Sequence, residues 1–240
     1  MTRTVRGLVV PALSTLIMLL VLVGLGTWQV YRLHWKEAIL TRIAAAEIAP
    51  AVPLGAGPWS SMPGAHMPEP YMKASVTGRF RYDLAVTYGA EVRDTRAGPT
   101  MGSYQIVPLE RDGGGVILVN RGWVPQKREQ PLQDPPGAVT VSGYVRPGDT
   151  PSWFSAADDV AGRAFYTLDP RTIGAAVGIA DPAPFALVAM GPAIDGIYPA
   201  PAQHLPRPPN NHLAYAITWY GLAGALVVIF GMWVRKALRT

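Results

Sequence analysis

Two stretches of this chain contain no charged residue at all. Residues 7–31 read GLVVPALSTLIMLLVLVGLGTWQVY, and residues 208–234 read PPNNHLAYAITWYGLAGALVVIFGMWV. About twenty apolar residues suffice to carry a helix across a hydrocarbon core. Two such runs, one near each end and each bounded by cationic residues, predict two transmembrane helices. The alternative, a pair of buried core helices, leaves the flanking cations unexplained. The first run is too long for the h-region of a cleavable signal peptide, which spans about 7–15 residues. The small residues 44–46 also lie beyond a charged, aromatic stretch, so the run reads as an uncleaved anchor.

Charge placement sets the expected orientation. Of 21 Lys and Arg residues, Arg3, Arg6, Arg235, Lys236 and Arg239 sit at the ends with no acidic residue beside them. The other sixteen, and all 16 Asp and Glu, fall within residues 32–207. Basic flanks stay cytoplasmic, so tails 1–6 and 235–240 are expected inside. Residues 32–207 are then expected outside, in a bacterial periplasm or a mitochondrial intermembrane space. Arg32, Lys36 and Arg42 oppose this assignment, and Glu37 and Glu47 partly offset them. A net charge of +5 that resides in two short tails leaves no basic stripe with interleaved aromatics, and nucleic-acid binding is not expected. The chain has no cysteine. That excludes disulfides, thiol nucleophiles, Cys-ligated metals and C-x-x-C-H haem attachment.

The outward segment is expected to form one mainly-β (α+β) domain, a sheet or partial barrel with one or two helices. Residues 35–48 continue the first span as a helix until Pro50, Pro53 and Pro58 end it. Residues 49–70, rich in Pro, Gly and Met, read as an irregular connector. Residues 73–80, 83–88, 104–109, 116–124 and 139–146 are β-branched and aromatic runs bounded by turn residues. The Asp-Gly-Gly-Gly at 112–115 suggests a hairpin. Residues 163–168 and 185–189 are weaker strands. Residues 169–177 read as a helix with Asp169 as N-cap and Pro170 in its first turn.

Enzyme signatures do not appear: there is no G-x-S-x-G, P-loop or dinucleotide fingerprint, and no catalytic turnover is expected. Asp158-Asp159, near Gly162, reads as a solvated turn. The four histidines, His34, His66, His204 and His212, include no i,i+4 pair. His66 with Met62, Met67 and Met72 offers thioether and imidazole donors suited to Cu(I), although a Met-rich, Pro-broken loop is more often simply one that packs on the membrane or on its own domain. His212 opens the second span after Pro208 and Pro209, with Asn210 or Asn211 as cap. Tyr215 and Trp219 follow at i+3 and i+7. An imidazole at a membrane boundary is a candidate haem ligand; it is also an ordinary member of an aromatic belt. Trp28, Arg32 and Trp35 share a face at the end of the first span, where Arg32 can pair a propionate or a lipid phosphate. Gly24 and Gly26 in the first span, with Gly221, Gly224 and Ala225 in the second, allow close helix contact. The spans can then pack as a hairpin that brings Arg32 near His212.

Four segments, GTWQVYRLHWKEAIL (26–40), VNRGWVP (119–125), RPGDTPSWF (146–154) and NNHLAYAITWYGLA (210–223), resemble in order and spacing the signatures of the Surfeit locus protein 1 family. The chain departs from the family pattern at Asp158-Asp159 and in the Pro/Met-rich residues 51–67. The resemblance implies an assembly factor for haem–copper (aa3-type) cytochrome c oxidase, with two spans and an outward domain. It implies that the chain binds or presents haem a to the oxidase catalytic subunit, with His212 as the histidine proposed to ligate haem iron. Tyr215, Trp219, Arg32 and Trp28 are the accompanying candidates. Haem a synthesis enzymes are possible further partners, beside the lipid bilayer. A ligand-free membrane scaffold for the catalytic subunit, and Cu(I) handling through His66 and its methionines, are the competing readings. The basic tails and the lack of a mitochondrial presequence point to the bacterial plasma (inner) membrane.

The topology has a direct check. Protease added to intact spheroplasts should cut within residues 32–207 and leave both tails intact; the reverse pattern would overturn the assignment.

Overall fold

Long apolar runs without a charged residue form helices because an unbroken helix satisfies every internal backbone donor and acceptor without help from water. In the computed structural model, which describes residues 2–55, 67–96, 98–127, 131–153 and 155–239, the two charge-free runs are helices α1 (Thr2–Ile48) and α3 (His212–Ala237). Both are long and apolar enough to cross a membrane, with mean hydropathy reaching 2.7 and 1.9 in their most apolar stretches. Their outer faces expose Val10, Ile17, Leu20, Ile217, Val228 and Ile229. α1 continues beyond its apolar stretch to Ile48, as the helical spacing of residues 35–48 predicts.

The chain divides into two units, Met1–Arg42 with Arg207–Thr240, and Ile43–Pro206. The second unit is β-rich. Its strands are β1 (Val52–Pro53), β2 (Lys73–Phe80), β3 (Val86–Thr95), β4 (Gly98–Arg111), β5 (Val116–Pro125), β6 (Ala138–Pro147), β7 (Ala164–Phe165) and β8 (Pro182–Ala189), with helix α2 (Pro170–Ala176) before β8. Pairing runs β2–β6–β8–β5–β4 and returns from β4 to β2, so five strands close into a barrel. Closure removes the open edges that a sheet otherwise presents. One long strand makes it possible. The first part of β4 pairs with β3, and its last residues, Leu109–Arg111, pair with Phe80, Arg79 and Gly78 of β2.

Successive side chains alternate between the two faces of a strand, and β5 is buried on both. Ile117 and Val119 join Val76, Leu109, Val145, Phe185 and Leu187 in the barrel core. Leu118, between them, faces a second core with Val86, Ile106, Phe165, Leu168, Ile173 and Ala186. That outer core lies under α2, whose N-cap Asp169 accepts from the N–H groups of Arg171 and Thr172.

Several local expectations are corrected. Residues 83–88 are not one strand: Tyr82–Leu84 is a 3₁₀ turn, and β3 begins at Val86 and runs to Thr95. Residues 163–168 yield only the two-residue β7, because Asp158 Oδ1 takes the N–H groups of Tyr166 and Thr167 away from the ladder. The connector 49–70 contains β1, paired in parallel with β2. Asp158 and Asp159 cap turns, the latter accepting from Gly162 N at 2.9 Å.

Arg121 is a structural residue of the barrel. Its guanidinium lies 5.1 Å from the Phe80 ring and 5.0 Å from the Tyr82 ring. It donates to Gln105 Oε1 at 2.9 Å, to Asp134 Oδ1 at 2.6 Å and to the Gln133 carbonyl. With 9% of its side chain exposed, it clamps the segment that leads into β6. Arg121→Ala should lower unfolding stability by about 2 kcal/mol, the scale of losing charge-assisted bonds and packing together. Arg121→Lys should recover only part of this, since an ammonium lacks the planar fork. Urea unfolding of the detergent-solubilised protein, followed by tryptophan fluorescence, measures both.

Candidate functional site: the helix seam around His212

Within the first unit the buried positions of α1 are Leu22, Gly26 and Gln29, spaced four and three apart, while α3 buries Ala216 and Ala223. These spacings place each set along one helix stripe. Small side chains let the backbones approach. Gly26 makes this concrete: a Cβ there would lie 2.9 Å from Cε1 of Tyr220. The other small residues expected at the contact are not part of it. Gly24, Gly221 and Gly224 have nothing within 4 Å of a built Cβ, and Ala225 is exposed.

Two polar bonds cross the seam. Thr27 gives its hydroxyl proton to the Val23 carbonyl at 2.9 Å, so the Tyr220 hydroxyl donates to Thr27 Oγ1 at 3.0 Å. Two residues further along α1, His212 Nδ1 lies 2.7 Å from Gln29 Oε1. An amide oxygen has no proton to give, so Nδ1–H is the donor, and in the neutral ring the lone pair is on Nε2. Gln29 is 9% exposed. A half-buried imidazole held by a buried amide on the facing helix has its ring orientation and its tautomer set together. That is the arrangement in which a histidine offers one nitrogen to a metal while the other is anchored.

The sequence-predicted site residues fall in different places. His212 and Trp219 lie half-buried along the seam. Tyr215 is 55% exposed and Trp28 53% exposed, both on outer faces. Arg32 is half-buried, with its guanidinium 4.3 Å from the Trp35 ring centroid. Among the described residues no hydrogen bond joins it to His212, and its buried Nε has no partner. The buried Oδ1 of Asn210 likewise has none. Asn211 occupies the N-cap position of α3 without a side-chain cap bond. Gln29 is the partner that sequence reasoning overlooked. The available signal was a lone amide three residues after Gly26, on the stripe that Leu22 and Gly26 define. His66 and Met62 lie outside the described residues. Among those residues, no group of three or more His, Cys, Asp or Glu side chains could hold a metal ion.

A pair of long apolar helices with a polar clasp, joined to a closed five-stranded barrel bearing one short helix, defines the architectural class. The SURF1 family profile matches residues 16–224. The SURF1-like protein of Rickettsia bellii is 30% identical over 234 residues, covering 93% of this chain and 90% of that one. Surfeit locus protein 1 of Homo sapiens is 30% identical over 231 residues, covering 90% and 74%. The SURF1-like protein of Monosiga brevicollis is 30% identical over 222 residues, covering 88% and 81%. The chain belongs to the SURF1 family.

The clasp predicts a spectroscopic signature. In ¹⁵N-histidine-labelled protein, His212 should show a protonated Nδ1 and a bare Nε2 under conditions where the imidazole is neutral. Gln29→Ala should return it toward the mixture of tautomers seen for free imidazole. An unchanged spectrum in the variant would mean the amide does not set the tautomer.

Proposed function

We propose that this chain is a membrane-inserted assembly factor for haem–copper (aa3-type) cytochrome c oxidase, and that it binds haem a and presents it to the catalytic subunit. Both tails lie in the cytoplasm and the barrel lies in the periplasm of a bacterial inner membrane. It works by binding and not by turnover. Family membership and the two apolar helices support the general reading, and the His212–Gln29 bond is the observation that carries the haem assignment.

The residues present fit the group. Through Nε2, His212 would hold haem iron. The 2.7 Å bond from Nδ1 fixes the ring and raises the basicity of the free nitrogen. Trp219, along the same seam, supplies an apolar wall. The unpartnered Nε of Arg32 is a donor waiting for an anionic group, and a propionate or a lipid phosphate satisfies it equally. Tyr215 and Trp28, exposed on outer faces, suit the headgroup layer, where amphipathic rings collect. Haem a, when bound, supplies an iron centre for the imidazole and an isoprenoid tail that prefers lipid to water. In the neutral imidazole the bond from Nδ1–H to Gln29 would leave Nε2 as the nitrogen available to haem iron.

The test is a visible spectrum of the purified protein coexpressed with haem a synthesis enzymes. A Soret band is expected in the wild type and should be lost or reshaped in His212→Ala. In Gln29→Ala affinity should fall by about tenfold to a hundredfold, the usual scale for removing a ligand's orienting partner. Arg32→Ala should weaken binding less, because interfacial water solvates a propionate. Wild-type haem content in His212→Ala would refute the ligand assignment, and the chain would then be a ligand-free scaffold for the catalytic subunit.

A further inference from the structure

The barrel unit contains a polar pocket that no part of the oxidase reading uses. It has a volume of about 320 Å³ and is lined by residues of β3, β4, β5 and β6, among them Tyr88, Arg93, Tyr104, Asn120, Tyr144 and Arg146. Two strand irregularities shape it. β3 bulges between Tyr88 and Glu91, and β5 carries Arg121 as an extra residue between Asn120 and Gly122. Gly122 has φ +129°, and a Cβ there would lie 2.1 Å from the Ala200 carbonyl oxygen, so only glycine passes. Bulges of this kind re-aim side chains beside functional sites. Here they turn Asn120 and the Tyr88–Tyr104 pair toward one hollow.

Hydrogen-bond accounting shows what the pocket lacks. On one side Arg93 donates through Nε to Glu91 at 2.9 Å and through Nη2 to Tyr104 at 3.1 Å, and Tyr104 donates to the other oxygen of Glu91. On the other side Arg146 donates through Nη2 to Tyr88 at 2.8 Å and to Asp149 at 3.0 Å. Tyr88 donates to Asp149 at 3.3 Å, and Asp149 also accepts from Leu168 N. Every carboxylate oxygen is therefore engaged. The donors are not. Nη1 of Arg93 and of Arg146, and the Tyr144 hydroxyl, have no partner among the described residues. Asn120 is only 2% exposed and spends its Oδ1 on Gly122 N at 3.0 Å, which leaves its Nδ2 unpartnered in the pocket wall. Asn120 Nδ2 is therefore a donor that only water or a ligand in the pocket can meet.

Burial pushes the phenols of Tyr88, Tyr104 and Tyr144 above their ordinary values, so all three stay neutral donors. Desolvation opposes charge on Arg93 and Arg146. Glu91 and Tyr104 outweigh it for Arg93, Tyr88 and Asp149 outweigh it for Arg146, and both guanidiniums are held above their ordinary pKa.

We propose that this pocket binds a monoanionic carboxylate, gripped by Nη1 of Arg93 and Arg146, Nδ2 of Asn120 and the Tyr144 hydroxyl, with the tyrosine rings against its organic body. Two arginines balance Glu91 and Asp149, so the pocket starts formally neutral. One added negative charge suits four free donors, whereas a dianion would also meet two carboxylates at close range. The carboxylate belongs either to a small molecule or to an acidic residue of a polypeptide segment, and the probes separate these sources.

Calorimetric titration of the full-length protein in detergent, at fixed ionic strength, uses benzoate, a short peptide with one aspartate side chain and an amidated C-terminus, and inorganic phosphate. Saturable binding of benzoate or the peptide, stronger than that of phosphate, is expected, and the tighter of the two identifies the source. Asn120→Asp keeps an acceptor for Gly122 N but replaces the free donor with a negative charge, and it should weaken binding by at least about tenfold. Tyr144→Phe removes a hydroxyl without a protein partner, leaves the fold intact and should weaken binding severalfold. It decides the matter if Asn120→Asp does not fold. Absence of saturable binding at millimolar probe, tighter binding of phosphate, or full affinity in a folded variant would overturn the proposal. None of these outcomes bears on haem binding at His212, which the Soret band reads separately.

Discussion

The barrel unit is organised around a single strand that is dry on both faces. β5 pairs with β4 on one side and β8 on the other, places Ile117 and Val119 in the barrel core, and places Leu118 under α2. Burial on both faces costs a strand its freedom to slip, because a one-residue shift would exchange the two apolar sets. With β5 fixed, its polar end is fixed too. Asn120 meets the pocket, Arg121 clamps the segment before β6, and Trp123 donates through Nε1 to the Glu91 carbonyl at 3.1 Å. The Trp123 backbone exchanges two hydrogen bonds with Ala200, each 2.9 Å, so the returning chain is tied to the same strand. The segment VNRGWVP thus combines a core strand, a bulge, a clamp and a pocket wall in seven residues.

The helix unit follows a different rule. In an apolar setting, van der Waals contact and a few polar bonds do the work that hydrophobic burial does in water. Gly26 against the Tyr220 ring supplies the close contact, and the Thr27–Tyr220 and Gln29–His212 bonds supply register. A buried glutamine on an apolar helix is costly when unpaired. The histidine that satisfies it is thereby left with one committed nitrogen and one available nitrogen. Structure and ligand chemistry share a single hydrogen bond, so the proposed haem site and the helix pairing cannot be altered independently at Gln29.

Both units hold polar groups that the described chain leaves unmatched: Arg32 Nε and Asn210 Oδ1 in the helix unit, and the free edges of Arg93, Arg146 and Asn120 in the barrel. Such groups are a cost to folding that external partners can offset. For Arg32 the proposed partners are haem propionates or lipid phosphates. In the barrel unit the proposed partner is a carboxylate.

Much of this was legible in the residues alone. Charge-free length determined α1 and α3, because a long apolar run without charges satisfies its backbone best as a helix. β-branched alternation determined β2, β5 and β6 to within a residue or two, and Asp169-Pro170 determined the start of α2. The four spaced motifs determined the family. What sequence could not supply was every relation between distant segments. Closure of the barrel depends on β4 being shared between β3 and β2, a choice made by the packing of Leu109 and not by local propensity. The partner of His212 is Gln29, 183 positions away, and periodicity within one helix says nothing about which turn of another it faces. Tyr215 and Trp219 both follow His212 at helical spacing, yet only Trp219 lies along the seam with it. The pocket around Asn120 arises from two bulges on different strands, each invisible until the ladders are paired. Local pattern determined the elements, since it acts through neighbours in the chain; tertiary packing alone decided the sites, since each is made of side chains that only the fold brings together.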